Sequence, residues 1–188
     1  VHPLTPLVFW SPFVVWLLWR SVVVHKIGLG TLALLGFGAL LAWTFTEYVL
    51  HRFIFHFNPV GELQEKFHFI LHGMHHADPV DPTRLVMSPV VGAILAAVFY
   101  GTFRALMGPA LVEPFFAFFI VGYLCYDYIH YSVHHFKPRS VIGKYIKQSH
   151  MQHHYVNHDM RWGVSSPLWD LVFGTYHERT VSRVRHGS

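Results

Sequence analysis

The run IGLGTLALLGFGALLAWTFTEYVLHRFIFH, residues 27–56, decides the architecture. Residues 27–50 are almost wholly apolar. Such a run is long enough, as a helix, to cross a hydrocarbon core about 30 Å thick. Helix is the form expected, because lipid offers no water to unpaired backbone groups. The run then ends on His51 and His56. A membrane-crossing helix that finishes in imidazoles is the pattern the rest of the chain repeats.

Three further runs of similar length and character cover residues 4–24, 85–107 and 110–133. The first lacks a basic start and a small-residue cleavage site, so it reads as a spanning helix and not as a signal peptide. Short turns join the first pair of runs near residues 25–28 and the second pair near Met107-Gly108-Pro109. The expected fold is therefore an all-α integral membrane protein of four transmembrane helices, in two hairpins that open on one side.

Composition agrees. The 188 residues are 53% hydrophobic and 13% charged, against about 25% charged in soluble proteins. Mean hydropathy is +0.35. The net charge of +4 suits nucleic acid or an anionic membrane surface. The hydropathy selects the membrane, and no basic run with interleaved aromatics suggests nucleic acid. The single cysteine, Cys125, excludes a disulfide framework and Cys-based zinc modules.

The open side receives Arg52, Lys66, Arg84, Lys137, Arg139, Lys144, Lys147, Arg161, Arg179, Arg183 and Arg185. The other side has Arg20, Lys26 and Arg104. The positive-inside rule then puts the open side and both termini in the cytoplasm. The links on that side are expected to be partly helical, over residues 62–76, 144–157 and 165–174, the last capped by serine and ended by Gly174.

Thirteen of the 17 histidines fall in four groups on the open side: HRFIFH (51–56), HFILHGMHH (68–76), HYSVHH (130–135) and HMQHHYVNH (150–158). Residues three and four apart share a helix face. His72, His75 and His76 are thus expected to converge, as are His150, His153 and His154, with His130 and His134 a further pair. His51 and His56, five apart, lie about 140° apart on a straight helix. They need a bent helix end, or they serve two metals. His2, His25, His177 and His186 read as isolated structural residues. The clusters have no such reading, because buried neutral imidazoles need partners and a divalent metal supplies them.

About ten imidazoles suffice for two metals with five nitrogens each, leaving a position on each for oxygen or water. Iron activating O₂ is the preferred identity. Zinc fits the same nitrogens without redox chemistry. Glu47, four residues before His51, and Asp127, three before His130, are expected to support the ligands by accepting their outer N–H groups. The competing reading for Glu47 is an ion pair with Arg52. Phe53, Phe55, Tyr126 and Tyr131 suit either a substrate groove or an interfacial aromatic belt.

These residues resemble the membrane fatty acid 2-hydroxylases, within the fatty acid hydroxylase and sterol desaturase superfamily. The runs that carry the resemblance are EYVLHRFIFH (47–56), HGMHH (72–76), DPTRLVMSP (81–89), YDYIHYSVHH (126–135), HMQHH (150–154) and GVSSPLWDLVFGTY (163–176). The resemblance implies a cytoplasmic helical cap holding a dimetal centre on four membrane helices. Its ligands would be His51, His56, His72, His75, His76, His130, His134, His150, His153 and His154. His68 and His135 fall outside that set and would sit behind it; His158 is not part of the motif. Trp169 and Asp170 would pack the C-terminal helix onto the cap.

The implied reaction is O₂- and two-electron-dependent hydroxylation at C2 of a fatty acyl chain, free or in a sphingolipid. The wider superfamily keeps a sterol or carotenoid oxidase as the alternative. A non-enzymatic metal carrier is disfavoured, since its ligands would reach the midplane or both faces. The resemblance further implies one hydroxylase domain over residues 1–188, without the haem domain of cytochrome b type that many eukaryotic members carry. Electrons would then come from a separate donor such as a b-type cytochrome or ferredoxin. The membrane would be endoplasmic reticulum in a eukaryote and the inner membrane in a bacterium.

Overall fold

A computed structural model of the chain describes residues 1–177. Arg179, Arg183, Arg185 and His186 lie outside the described residues. Among those described, all regular structure is helical: α1 (Thr5–Val23), α2 (Leu29–Val49), α3 (Glu62–His68), α4 (Met74–Ala77), α5 (Pro89–His135), α6 (Val141–Tyr155) and α7 (Leu168–Phe173). Three stretches are long and apolar enough to cross a membrane: Thr5–Val23, Leu29–Phe55 and Pro89–His135.

The third breaks at Gly108, where φ is 77° and ψ 173°. Glycine adopts positive φ without a Cβ penalty, and Pro109 restarts the helix with its φ already fixed. The turn expected over residues 107–109 thus contracts to one non-helical residue. The arms 89–107 and 109–135 fold back on each other. Ring centroids lie 5.0 Å apart for Phe103 and Phe115, 5.2 Å for Tyr100 and Phe116, and 5.3 Å for Phe99 and Phe119.

Helices α1 and α2 pack against α5 around Trp10, Leu17, Trp43, Phe116, Phe119 and Tyr123. The approach of α2 to the second arm is close. A Cβ on Gly122 would lie 2.7 Å from Cβ and Cγ of Trp43, so no larger residue fits without moving the tryptophan. Two polar ties fix how α1 lies along that arm. The Tyr128 hydroxyl donates to the Pro3 carbonyl at 2.9 Å. At the other end Arg20 grips Glu113 with Nε (2.9 Å to Oε2) and Nη2 (2.8 Å to Oε1), and His25 Nε2 lies 3.1 Å from Oε2.

The connecting elements differ from expectation at their edges. The segment foreseen over 62–76 is helical through Ala77, but it contains a π-helical turn at Phe69–Gly73 between α3 and α4. Helix α6 begins three residues early, because the Ser140 hydroxyl accepts the Gly143 N–H at 3.0 Å and caps it. The C-terminal helix begins at Leu168 and not at residue 165, with Pro167 at its cap and Ser165 bound elsewhere. It ends at Gly174 as expected, in the left-handed conformation with φ 67°.

Candidate metal centre

Below α2 the helix widens into a π-helical turn at Leu50–Phe55, and the His56 N–H donates to the His51 carbonyl at 3.2 Å. An i to i+5 turn is wider than an α turn and returns the fifth residue to the starting face. That is the bent helix end, one of the two readings the five-residue spacing left open. The two rings come within 5.0 Å.

Ten histidines gather in two sets of five. One holds His51, His56, His72, His76 and His153; the other holds His75, His130, His134, His150 and His154. Within each set the five ring nitrogens lie within 4.8 Å of one another. These are the ten that the resemblance implies. Their division differs from the spacing argument. His72 and His76 share a set while His75 joins the other, and His150 and His154 share a set while His153 departs. On a regular helix, i and i+4 lie about 40° apart but adjacent residues about 100°. Each helix therefore stands between the two sets and feeds both.

The contacts are all through Nε2. In the first set they are His51–His72 at 3.3 Å, His72–His76 at 3.0 Å and His56–His153 at 3.2 Å. In the second they form a line, His130–His75–His154–His150–His134, with steps of 3.0, 3.0, 3.0 and 2.9 Å. A ring nitrogen carrying a proton has no lone pair left to accept with and donates one proton only, and a bare one accepts with a single lone pair. At most two of those four contacts can therefore be hydrogen bonds. A cation serves all five nitrogens. Two nitrogens about 2.1 Å from one ion, at right angles, stand about 3.0 Å apart, which is the spacing observed. The donor sets fit metal ions.

The protonation state also fits. Burial first, then repulsion among neighbouring rings, pushes His56 down to about 2 and His76 to about 3. Burial holds His153 at about 4 and lowers His72 and His150 well below the usual imidazole range. At neutral pH these rings are uncharged, which is the metal-binding form.

The supports behind the rings are main-chain carbonyls. His51 Nδ1–H donates to the Trp162 carbonyl at 2.6 Å, and His153 Nδ1–H to the Met160 carbonyl at 2.8 Å. Since a carbonyl only accepts, both rings must present Nε2 bare. The loop carrying those carbonyls is clamped by two buried carboxylates. Glu47 Oε1 accepts the N–H groups of Val164 (2.6 Å) and Ser165 (2.7 Å), and Oε2 accepts the Ser165 hydroxyl. Asp170 accepts the N–H groups of Trp162 (2.9 Å) and Gly163 (2.7 Å).

Glu47 thus meets the loop, not an imidazole. Arg52, its alternative partner, donates instead to the Tyr48 hydroxyl at 2.6 Å. Asp127 is buried, and its Oδ2 has no hydrogen-bond partner among the described residues. His68 packs beside Phe57 and His56, with centroids 5.2 and 6.5 Å away, and His135 lies against Tyr131 at 4.4 Å. The exposed His158 stands 5.0 Å from His76 at the edge of the first set. Asp170 and the carbonyls of Met160 and Trp162 are the site features that sequence reading did not identify. Only the GVSSPLWD run pointed toward that loop.

A cavity of about 380 Å³ opens beside the centre. Its wall includes His72 of the first set, His75 and His130 of the second, and Asp127, Phe55 and Tyr126. Of the four aromatics weighed for a groove, Phe55 and Tyr126 line this cavity. Phe53 is exposed.

The family model for fatty acid hydroxylase matches residues 36–175. The chain is 38% identical over 168 residues to dihydroceramide fatty acyl 2-hydroxylase FAH1 of Arabidopsis thaliana, covering 89% of this chain and 70% of that protein. It is 40% identical over 189 residues to ceramide very long chain fatty acid hydroxylase SCS7 of Saccharomyces cerevisiae, covering 94% of this chain and 47% of that one. Fatty acid 2-hydroxylase of Rattus norvegicus is 37% identical over 141 residues, which are 72% of this chain and 37% of the rat protein. Among solved structures, full-length scs7p, with only its hydroxylase domain visible, superposes with a TM-score of 0.87 at 37% identity, over 94% of this chain and 67% of that chain. The described fold, the ten gathered histidines and these likenesses agree: the chain belongs to the fatty acid hydroxylase family.

Proposed function

We propose that this chain hydroxylates C2 of a fatty acyl chain, free or held in a sphingolipid, at a centre of two iron ions. The ten histidines are its ligands, five to each metal, and zinc is a redox-inert substitute. The observation that carries this reading is the cavity touching ligands of both sets. The names of the plant and yeast relatives favour an acyl group in a ceramide-type lipid over a sterol or carotenoid.

The balance is one acyl C2–H bond, O₂, two electrons and two protons, giving one C2–OH and one water. Iron supplies the activation of O₂ and the oxidant for an unactivated C–H bond. The protein's part is placement. His51 and His153 are oriented by the Trp162 and Met160 carbonyls. Glu47 and Asp170 hold the loop that carries those carbonyls. Asp127 is buried in the wall of the cavity, three residues before His130. Apolar walls at Phe55, Leu85 and Met87 seat the first acyl carbons and exclude water. A misplacement of about 1 Å can cost on the order of a hundredfold.

The membrane arrangement follows. The arms of α5 act as two spans, giving four. Eight of the eleven cations on the histidine side lie among the described residues, which supports a cytoplasmic cap by the positive-inside rule. Two electrons come from a donor of the b-type cytochrome or ferredoxin class.

The test is to express the chain beside His150→Ala, hydrolyse total lipid, and seek 2-hydroxy fatty acids by mass spectrometry. Their appearance with the wild type alone supports the reading. An iron-loaded wild type that makes none overturns it.

A further inference from the structure

The histidine cavity has apolar neighbours along the 89–107 arm. Met87, on its membrane side, also walls a narrow second void of about 20 Å³. That void is lined by apolar and aromatic residues, among them Trp10, Gly92, Ala96 and Phe119. Trp10 and Ala96 in turn wall a third void of about 330 Å³ between α1 and the 89–107 arm, with Phe9, Phe13 and Tyr100. Three spaces, the second and third apolar, thus lie in series along one arm. From Pro89 to Tyr100 the helix rises about 16 Å.

The neck between the two large spaces holds about one water-sized group, the girth of a single hydrocarbon chain. Gly92 stands at it. A Cβ there would lie 3.6 Å from Trp10 Cζ2 and 3.8 Å from Met87 Sδ. Any longer side chain would grow into the space between tryptophan and thioether. The Met87 side chain is flexible and unbranched, so it can yield to a passing chain.

We propose that the acyl tail of the substrate runs from the histidine cavity past Met87, through the neck at Gly92, and into the crevice between α1 and the 89–107 arm. Met87, Gly92 and Trp10 then set the chain length accepted. This inference rests on the acyl-hydroxylase reading, because it takes C2 to be held at the histidine end.

The first test is photolabelling of the iron-loaded, membrane-embedded protein with palmitic acid carrying a diazirine at its terminal carbon. Label on the peptides of Phe9, Phe13 or Tyr100 is expected. Label confined to peptides of Phe53 and Ile70 would mean the tail leaves sideways, and would overturn the path. The second is the product profile of Gly92→Leu in membranes supplied with octanoic and palmitic acids. The ratio of 2-hydroxyoctanoate to 2-hydroxypalmitate should rise at least about tenfold, the scale on which a pocket discriminates by methylene groups. An unchanged ratio in an active variant overturns the path. Should Gly92→Leu lose all product, Met87→Ala and the wild-type label decide. A wild type that labels in the crevice but forms no 2-hydroxy acid removes the hydroxylase reading and leaves the lipid path standing.

Discussion

His51 donates its Nδ1 proton to the carbonyl of Trp162 at 2.6 Å, and that carbonyl is held from behind by carboxylates on two different helices. Glu47, one turn above His51, binds the backbone of Val164 and Ser165, while Asp170 on α7 binds that of Trp162 and Gly163. The ring therefore takes its orientation from a loop more than a hundred residues away. That loop takes its position from the helix that carries the ring.

Glu47→Ala should lower metal affinity about 10- to 100-fold, the usual cost of losing such outer support. Glu47→Gln keeps an oxygen for the two backbone N–H groups and should lose less. Competitive chelator titration of both variants measures this. Equal losses, or none, would end the positioning role of Glu47.

The two sets of five make metal stoichiometry informative. His150→Ala and His72→Ala each remove one ligand from a different set. Each should reduce bound metal from two ions per chain toward one while leaving the protein in the membrane, as measured by elemental analysis of the purified protein. Loss of both ions from either variant would mean that one intact set cannot hold its ion alone.

The buried imidazoles make the metal-free protein acid-labile. His56, His76 and His153 have folded pKa values of about 2, 3 and 4, below the ordinary value of about 6.5. Between those limits the unfolded chain binds more protons than the folded one, so stability rises with pH there. It is fully present above about 6.5 and lost as pH falls toward 4 and below. Thermal melts of chelated protein should show Tm steady from pH 8 to 7 and falling below 6, with metal loading protecting it. A Tm flat down to pH 4 would contradict the burial of these rings as neutral species.

Gly122→Ala should destabilise the helix packing by about 1–3 kcal/mol, the range for overfilled cores, because its Cβ would lie 2.7 Å from Trp43. The expected result is a lower Tm with unchanged metal content. A neutral effect would show that α2 can slide away from the second arm without cost.

The long apolar runs and histidine clusters were legible in the chain because hydrophobicity and residue type are written in it directly. The five-residue interval from His51 to His56 left two readings, a bent helix end or service to two metals, and the π-helical turn decides for the first. The sorting of the rings was not legible. Spacing groups neighbours on one helix, and it carries no record of what stands on either side of that helix, so His75 and His153 were grouped with the wrong companions. The carbonyls of Met160 and Trp162 left no trace either, since every residue has one. Asp170 read as a packing residue because two of its three partners are backbone N–H groups, which any sequence supplies.

The helix bearing His72, His75 and His76 serves both histidine sets, and so does the one bearing His150, His153 and His154. Rolling either helix about its axis cannot improve one shell without disturbing the other. Filling one site should fix the rotational setting of both helices and so preassemble three of the five donors at its neighbour. The ordering entropy would be spent once for two ions. An ion in one site should then raise the affinity of its neighbour, so a variant left with one intact site should hold its single ion more weakly than the wild type holds either.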